Sequence, residues 1–249
     1  MKTKKAKMAR KLRLLSAAVL LCVAPSAFAD TASMDLTGVG PNGSYAGIYI
    51  GPYAATINGV STPVICDDFG DESYVPESWT AYVTNVPNLA ANGNVVKWGD
   101  TSTTLYDELA YLATELAAPP PGTNIDALQY AIWQLADSST ANYLQDTLSA
   151  AQYNTFEGSA STVGSVLYYI AQAENPANYD SSTWANVSIY SFDQCSTTVS
   201  SPCSTTNPPQ EFLVVKTPEP ATILLLALGL GGLLLLKRRQ RTFSRPLAA

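Results

Sequence analysis

The chain of 249 residues contains no histidine. Ser-His-Asp and Cys-His catalysis need an imidazole to carry the proton, and the common zinc sites need one as a ligand, so all three are excluded. Between residues 30 and 217 arginine is absent as well, and lysine occurs only as Lys97 and Lys216. The same stretch holds 19 of the 20 acidic residues, a net charge of −17 that the whole-chain value of −6 conceals. A surface of that sign repels phosphate, so nucleic acid is excluded as a partner and adhesion to an anionic membrane is disfavoured. No cofactor is expected. The densest oxygen cluster, Asp67-Asp68-Phe69-Gly70-Asp71-Glu72, lacks the spacing of a calcium loop and reads as a solvated acidic turn, so no metal site is expected either.

The missing basic residues are gathered at the two ends. Lys2, Lys4, Lys5, Lys7, Arg10, Lys11 and Arg13 precede a short apolar core, Leu14 to Val23, and then the small-x-small triplet Ala27-Phe28-Ala29. These are the three parts of a secretory signal, with cleavage before Asp30. Cys22 leaves with it.

At the other end, Pro218-Glu219-Pro220 precedes an apolar run from Ile223 to Leu236, followed by Lys237, Arg238, Arg239 and Arg241. The run is somewhat shorter than the ~20 residues of a usual spanning helix. Its basic flank belongs on the cytoplasmic side, which turns the body of the protein outward. Order and spacing resemble the PEP-CTERM sorting signal of Gram-negative bacteria. The resemblance implies an exosortase-type sorting protease as partner, passage through the inner membrane, and delivery to the cell surface or the extracellular matrix, often with polysaccharide.

The middle divides by hydrophobic period. Residues 44–86 read as strands: Tyr45, Ile48, Ile50 and Tyr53 lie among turn residues, and Asn58-Gly59 is a hairpin signal. Thr62 to Cys66 is a short apolar strand, and Trp79 to Val86 alternates. From residue 104 the period becomes helical. Thr104 with Asp107 forms a capping box ahead of the stripe Leu105, Leu109, Leu112 and Leu116. Pro119-Pro120-Pro121-Gly122 ends that helix, and Thr123 with Asp126 caps a second one running to Asp137. Two more are expected over Ala141 to Gln152 and Val163 to Glu174. Strands return at 184–194 and 211–216, separated by a Ser, Thr and Pro rich linker. The fold class is therefore α+β: β-sandwich or barrel-like strands with a helical insertion, plus one C-terminal transmembrane helix.

Three cysteines outlast the signal peptide, Cys66, Cys195 and Cys203, an odd number for an oxidising compartment. A local Cys195–Cys203 disulfide is the natural pairing. Cys66 is then a buried thiol, half of an intermolecular disulfide, or an alternative partner for either of the other two. The acidic residues beside it should raise its pKa.

Helix 125–136 adds a second unusual residue. On its wheel Ile125, Leu128, Ile132, Leu135 and Ala136 form the apolar face, and Gln129 points into that face between Ile125 and Trp133. Asp126, Tyr130, Gln134 and Asp137 make the polar arc. A buried amide needs partners or has been chemically altered.

Ile65-Cys66-Asp67 and Leu128-Gln129-Tyr130-Ala131-Ile132-Trp133 resemble the two signatures of the thioester domains of Gram-positive surface adhesins. The resemblance implies a strand-borne Cys66 and a helix-borne Gln129 joined as an internal thioester, with Trp133 shielding it, and covalent attachment to a partner amine or hydroxyl. It also implies at most single-turnover acyl transfer rather than an enzyme. The competing reading is a non-covalent protein of the matrix or of exopolysaccharide. The implied organisation is a signal peptide at 1–29, a thioester-domain-like ectodomain at 30–194, a linker and last strand at 195–217, a sorting signal with its transmembrane helix at 218–241, and a cytoplasmic tail at 242–249.

Overall fold

The structure is a computed structural model that describes residues 30–89, 96–99, 103–178, 184, 186–192 and 208–216. The signal peptide, Cys195 and Cys203, the Pro218-Glu219-Pro220 motif and the C-terminal apolar run lie outside these residues. Among the described residues no helix is long and apolar enough to cross a membrane.

Six strands close into a barrel in the order β1-β4-β5-β8-β7-β6. They are β1 (Asp30–Gly38), β4 (Tyr53–Ile57), β5 (Val60–Cys66), β6 (Glu77–Asn85), β7 (Val187–Phe192) and β8 (Phe212–Val215). All neighbours pair antiparallel. The expected barrel-like strands are present. β1 was not expected, although Ala32, Met34 and Leu36 are buried in alternation with exposed Thr31, Ser33 and Thr37, as one wet and one dry face require. The Asn58-Gly59 hairpin forms as the sequence predicts. Both residues take positive φ, the type I′ geometry that matches strand twist, and Ile57 pairs with Val60 across the turn. A small hairpin, β2 (Ser44–Tyr45) with β3 (Ile48–Tyr49), precedes β4.

The helical insertion falls between β6 and β7: α1 (Thr103–Ala117), α2 (Ile125–Ala136), α3 (Ser139–Thr147), α4 (Ala150–Glu157) and α5 (Val166–Ala173). Three expectations need correction. The helix predicted over 141–152 is two helices, because Ser149 and Gln152 form a reciprocal capping box that starts α4. The cap of α2 is Asn124 rather than Thr123, its side chain accepting from the Ala127 N–H at 3.3 Å. Tyr130 is not on a polar arc: it is fully buried, and its hydroxyl donates to the Tyr45 carbonyl at 3.0 Å.

α1 packs on β5 and β8 and against α2 and α5. Cys66 pairs with Phe212, whose ring meets Tyr53 and Trp79 at 6.1 and 5.9 Å. Strand alternation therefore puts Cys66 on the Phe212 side, in the barrel interior, and Ile65 with its partner Leu213 under α1.

Candidate functional site

β5 ends at Cys66, which is fully buried and unpaired. Gln129, in the second turn of α2, is also fully buried. The two are brought together: Gln129 Nε2 donates to the Cys66 carbonyl oxygen at 2.8 Å. The carboxamide thus satisfies its nitrogen on the cysteine's own backbone. Its oxygen, Oε1, has no hydrogen-bond partner among the described residues. A buried amide oxygen without a donor costs about 1–3 kcal/mol, and a structure retains such a group where something else requires it.

Gly51 explains how the amide fits. A Cβ on residue 51 would stand 2.7 Å from Gln129 Oε1 and 3.1 Å from the Tyr53 ring. The β2–β3 hairpin that leads into Gly51 is strapped to the helices by Tyr130, and by Tyr143, whose hydroxyl donates to the Ala46 carbonyl at 2.8 Å. Trp133 follows Gln129 by one helical turn and is 1% exposed. Its indole N–H has no partner of normal hydrogen-bond geometry, yet it lies close enough to the Cys66 sulfur to favour the thiolate slightly. The outer cover is a residue the sequence reading missed. Phe69, from the loop after β5, packs on Trp133 with ring centroids 5.4 Å apart and is itself backed by Tyr143 at 5.2 Å.

The thiol is held in its neutral form. Burial pushes its pKa well up, and the Asp68 and Asp67 carboxyls push it further, opposed only in part by the Asp68 backbone and Trp133. Its Sγ donates to the Asp68 carbonyl oxygen at 3.2 Å. The rise expected from the acidic neighbours is thus present, with desolvation as its larger cause.

Those neighbours are not a solvated turn. Asp67 and Asp68 are fully buried and Glu211, from the residue before β8, is 2% exposed. The cation among them is Lys97, whose Nζ contacts Asp68 Oδ1 directly and Asp71 Oδ2 at 2.8 Å. Asp68 also accepts from the backbone N–H groups of Gly70 at 3.1 Å, Asp71 at 3.2 Å and Glu211 at 3.4 Å. Glu211 in turn accepts from the Tyr106 hydroxyl at 2.6 Å, the Lys97 N–H at 2.8 Å and the Ser191 hydroxyl. Both Asp67 oxygens lack a partner of normal geometry, and after burial the Glu211 carboxyl acts on Asp67 most strongly. Each of these desolvated carboxyls is harder to ionise than one in water. Sequence separation hid this network, since Glu211 lies 114 residues from Lys97 and 143 from Asp68.

A pH dependence follows. Burial raises both Asp67 and Glu211 above the ordinary carboxylate range, and for Asp67 the Glu211 carboxyl adds to the rise. A raised folded-state pKa means that the native protein binds protons the unfolded chain has released. These groups therefore stabilise the fold below their folded pKa and cease to do so as pH rises through it. We expect a higher thermal midpoint at pH 5 than at pH 7, measured by circular dichroism. A midpoint that falls on acidification over that range would contradict the upward shift of these carboxyls.

The sequence matches the PEP-CTERM protein-sorting motif over residues 216–239. The motif indicates an exported protein that transits the membrane and meets an exosortase-type protease. Comparison with curated proteins and with solved structures returns no match.

Proposed function

We propose that the exported domain forms an internal thioester between Cys66 Sγ and Gln129 Cδ and uses it to attach covalently to a partner at the cell surface or in the extracellular matrix. The observation that carries this reading is the buried free thiol beside a carboxamide that donates to the cysteine's own carbonyl at 2.8 Å. In the first step sulfur adds to the acyl carbon, the thiol proton passes to the amide nitrogen, and ammonia leaves. In the second, a partner amine or hydroxyl adds to the same carbon and the thiol recovers its proton. The domain ends linked through the Gln129 acyl group, once, without turnover. Trp133 and Phe69 shield the acyl carbon from water until the partner arrives. The high thiol pKa makes sulfur a slow leaving group, which suits a bond that must persist in water.

Intact mass of the exported protein tests the reading. The wild type is expected to be one ammonia lighter than its Cys66→Ala variant once the substitution itself is allowed for. Methylamine should add one molecule and free one thiol for alkylation, and Cys66→Ala should restore the ammonia. A full-mass wild-type protein would reject the thioester.

A second reading, non-covalent association with exopolysaccharide, is favoured by an open groove lined by Tyr45, Asn124, Gln152, Thr155 and Phe156. Aromatic, amide and hydroxyl groups together suit sugar rings. Polysaccharide binding that survives both Cys66→Ala and Gln129→Ala would favour this alternative.

A further inference from the structure

Lys97 and Asp68 form the more buried of the two ion pairs among the described residues. The Asp68 carboxyl is fully buried, and the Lys97 side chain is only 20% exposed. Desolvating two charges is expensive even when they meet. Condensing them into an amide removes both charges and releases one water.

The surroundings suit that reaction. Lys97 is fixed by its own backbone, whose N–H donates to Glu211 Oε2 at 2.8 Å, and its Nζ touches the Asp68 carboxyl. Such placement supplies much of what an uncatalysed condensation lacks. The Gly70 and Asp71 N–H groups at Asp68 Oδ1 point at the atom where negative charge grows as nitrogen adds to carbon. The Glu211 N–H donates to the other oxygen, Oδ2, at 3.4 Å, and the Glu211 carboxyl is near enough to act on Asp68 electrostatically.

We propose that Lys97 and Asp68 are joined by an intramolecular isopeptide bond, Nζ to Cγ, with the Asp67–Glu211 carboxyl pair carrying the proton. One ammonium proton moves to the Asp68 carboxylate, leaving a neutral amine and a neutral acid. Nζ then adds to Cγ. The carboxyl pair takes a second proton from nitrogen and delivers one to Oδ2, the Cγ–Oδ2 bond breaks, and water leaves. Ammonium plus carboxylate becomes amide plus water, with no oxidant or other reagent. This bond is independent of the thioester: it uses other atoms and loses water instead of ammonia.

The scarcity of basic residues gives a clean test. Within residues 30–217 trypsin can cut only after Lys97 and Lys216. The full-length exported protein carrying Cys66→Ala, which cannot form the thioester, is denatured, reduced and digested. The expected product is one uncut fragment that spans Lys97, runs to Lys216 and is one water lighter than its sequence. Fragmentation should locate the branch at Asp68. Lys97→Arg should restore both cleavage and full mass, and Glu211→Gln should leave most of the protein cleavable. Cleavage after Lys97 into two fragments of unmodified mass would overturn the bond. A bond that forms fully in Glu211→Gln would overturn the proton-carrying role. In the wild type, ammonia loss with a cleavable Lys97 would uphold the thioester and reject the isopeptide. Water loss alone would do the reverse.

Discussion

Lys97→Met should lower the stability of the domain by about 3 kcal/mol or more, the usual consequence of leaving a buried carboxyl without the partner that neutralises it. At roughly 2–4 °C per kcal/mol for a domain of this size, the thermal midpoint should fall by about 6–12 °C. The loss comes less from the missing attraction than from what stays behind: a fully buried Asp68, the Asp71 carboxylate, and the Asp67–Glu211 pair with no cation near them. The deficit should shrink on acidification, because protonating Asp68 removes the orphaned charge. Adding Asp68→Leu to Lys97→Met should recover a large part of it, since an apolar pair leaves no charge to desolvate. A Lys97→Met protein that melts with the wild type would show that the acidic cluster needs no counter-charge.

Gly51→Ala should separate the chemistry of the site from its folding. The added methyl would stand 2.7 Å from Gln129 Oε1, the far end of a flexible side chain that can turn aside at modest cost. Turning it aside carries the acyl carbon away from the sulfur. A misplacement of this kind should slow the proposed thioester formation by roughly tenfold or more, equivalent to about 1.4 kcal/mol of barrier. The global unfolding midpoint should shift far less than in Lys97→Met. The measurement is the fraction of protein lacking one ammonia, followed over time after synthesis. Undiminished ammonia loss would show that the glycine does not set the amide's position.

Much of the architecture was legible in the sequence, and the exceptions have physical causes. The leucine stripe of α1 and the prolines after it fixed that helix, because period and breaker agreed. The split between α3 and α4 was missed because the apolar spacing runs on past residue 148 while the capping box at Ser149 interrupts the backbone. β1 was missed because its dry face is Ala32, Met34 and Leu36, none of them β-branched or aromatic, so alternation stood without propensity to support it. The juxtaposition of Cys66 and Gln129 was legible because each sits in a recognisable local pattern. Lys97, Glu211 and Gly51 were not, since each acquires its role only when β5, β8 and the hairpin converge. The acidic turn was misread for the same reason: local sequence shows the charges on 67–72 but not the lysine that allows two of them to be buried.

β8 is the shortest barrel strand, sits between β5 and β7, and ends at Val215, one residue before the sorting motif begins. A chain threaded outward from its N-terminus must therefore deliver almost everything up to that motif before the barrel can shut. Glu211 and Gln210 reach Asp68 only at that moment. Until residues 210–215 arrive, β5 and β7 lack the strand that joins them, and Asp68 lacks its contacts with Gln210 and Glu211.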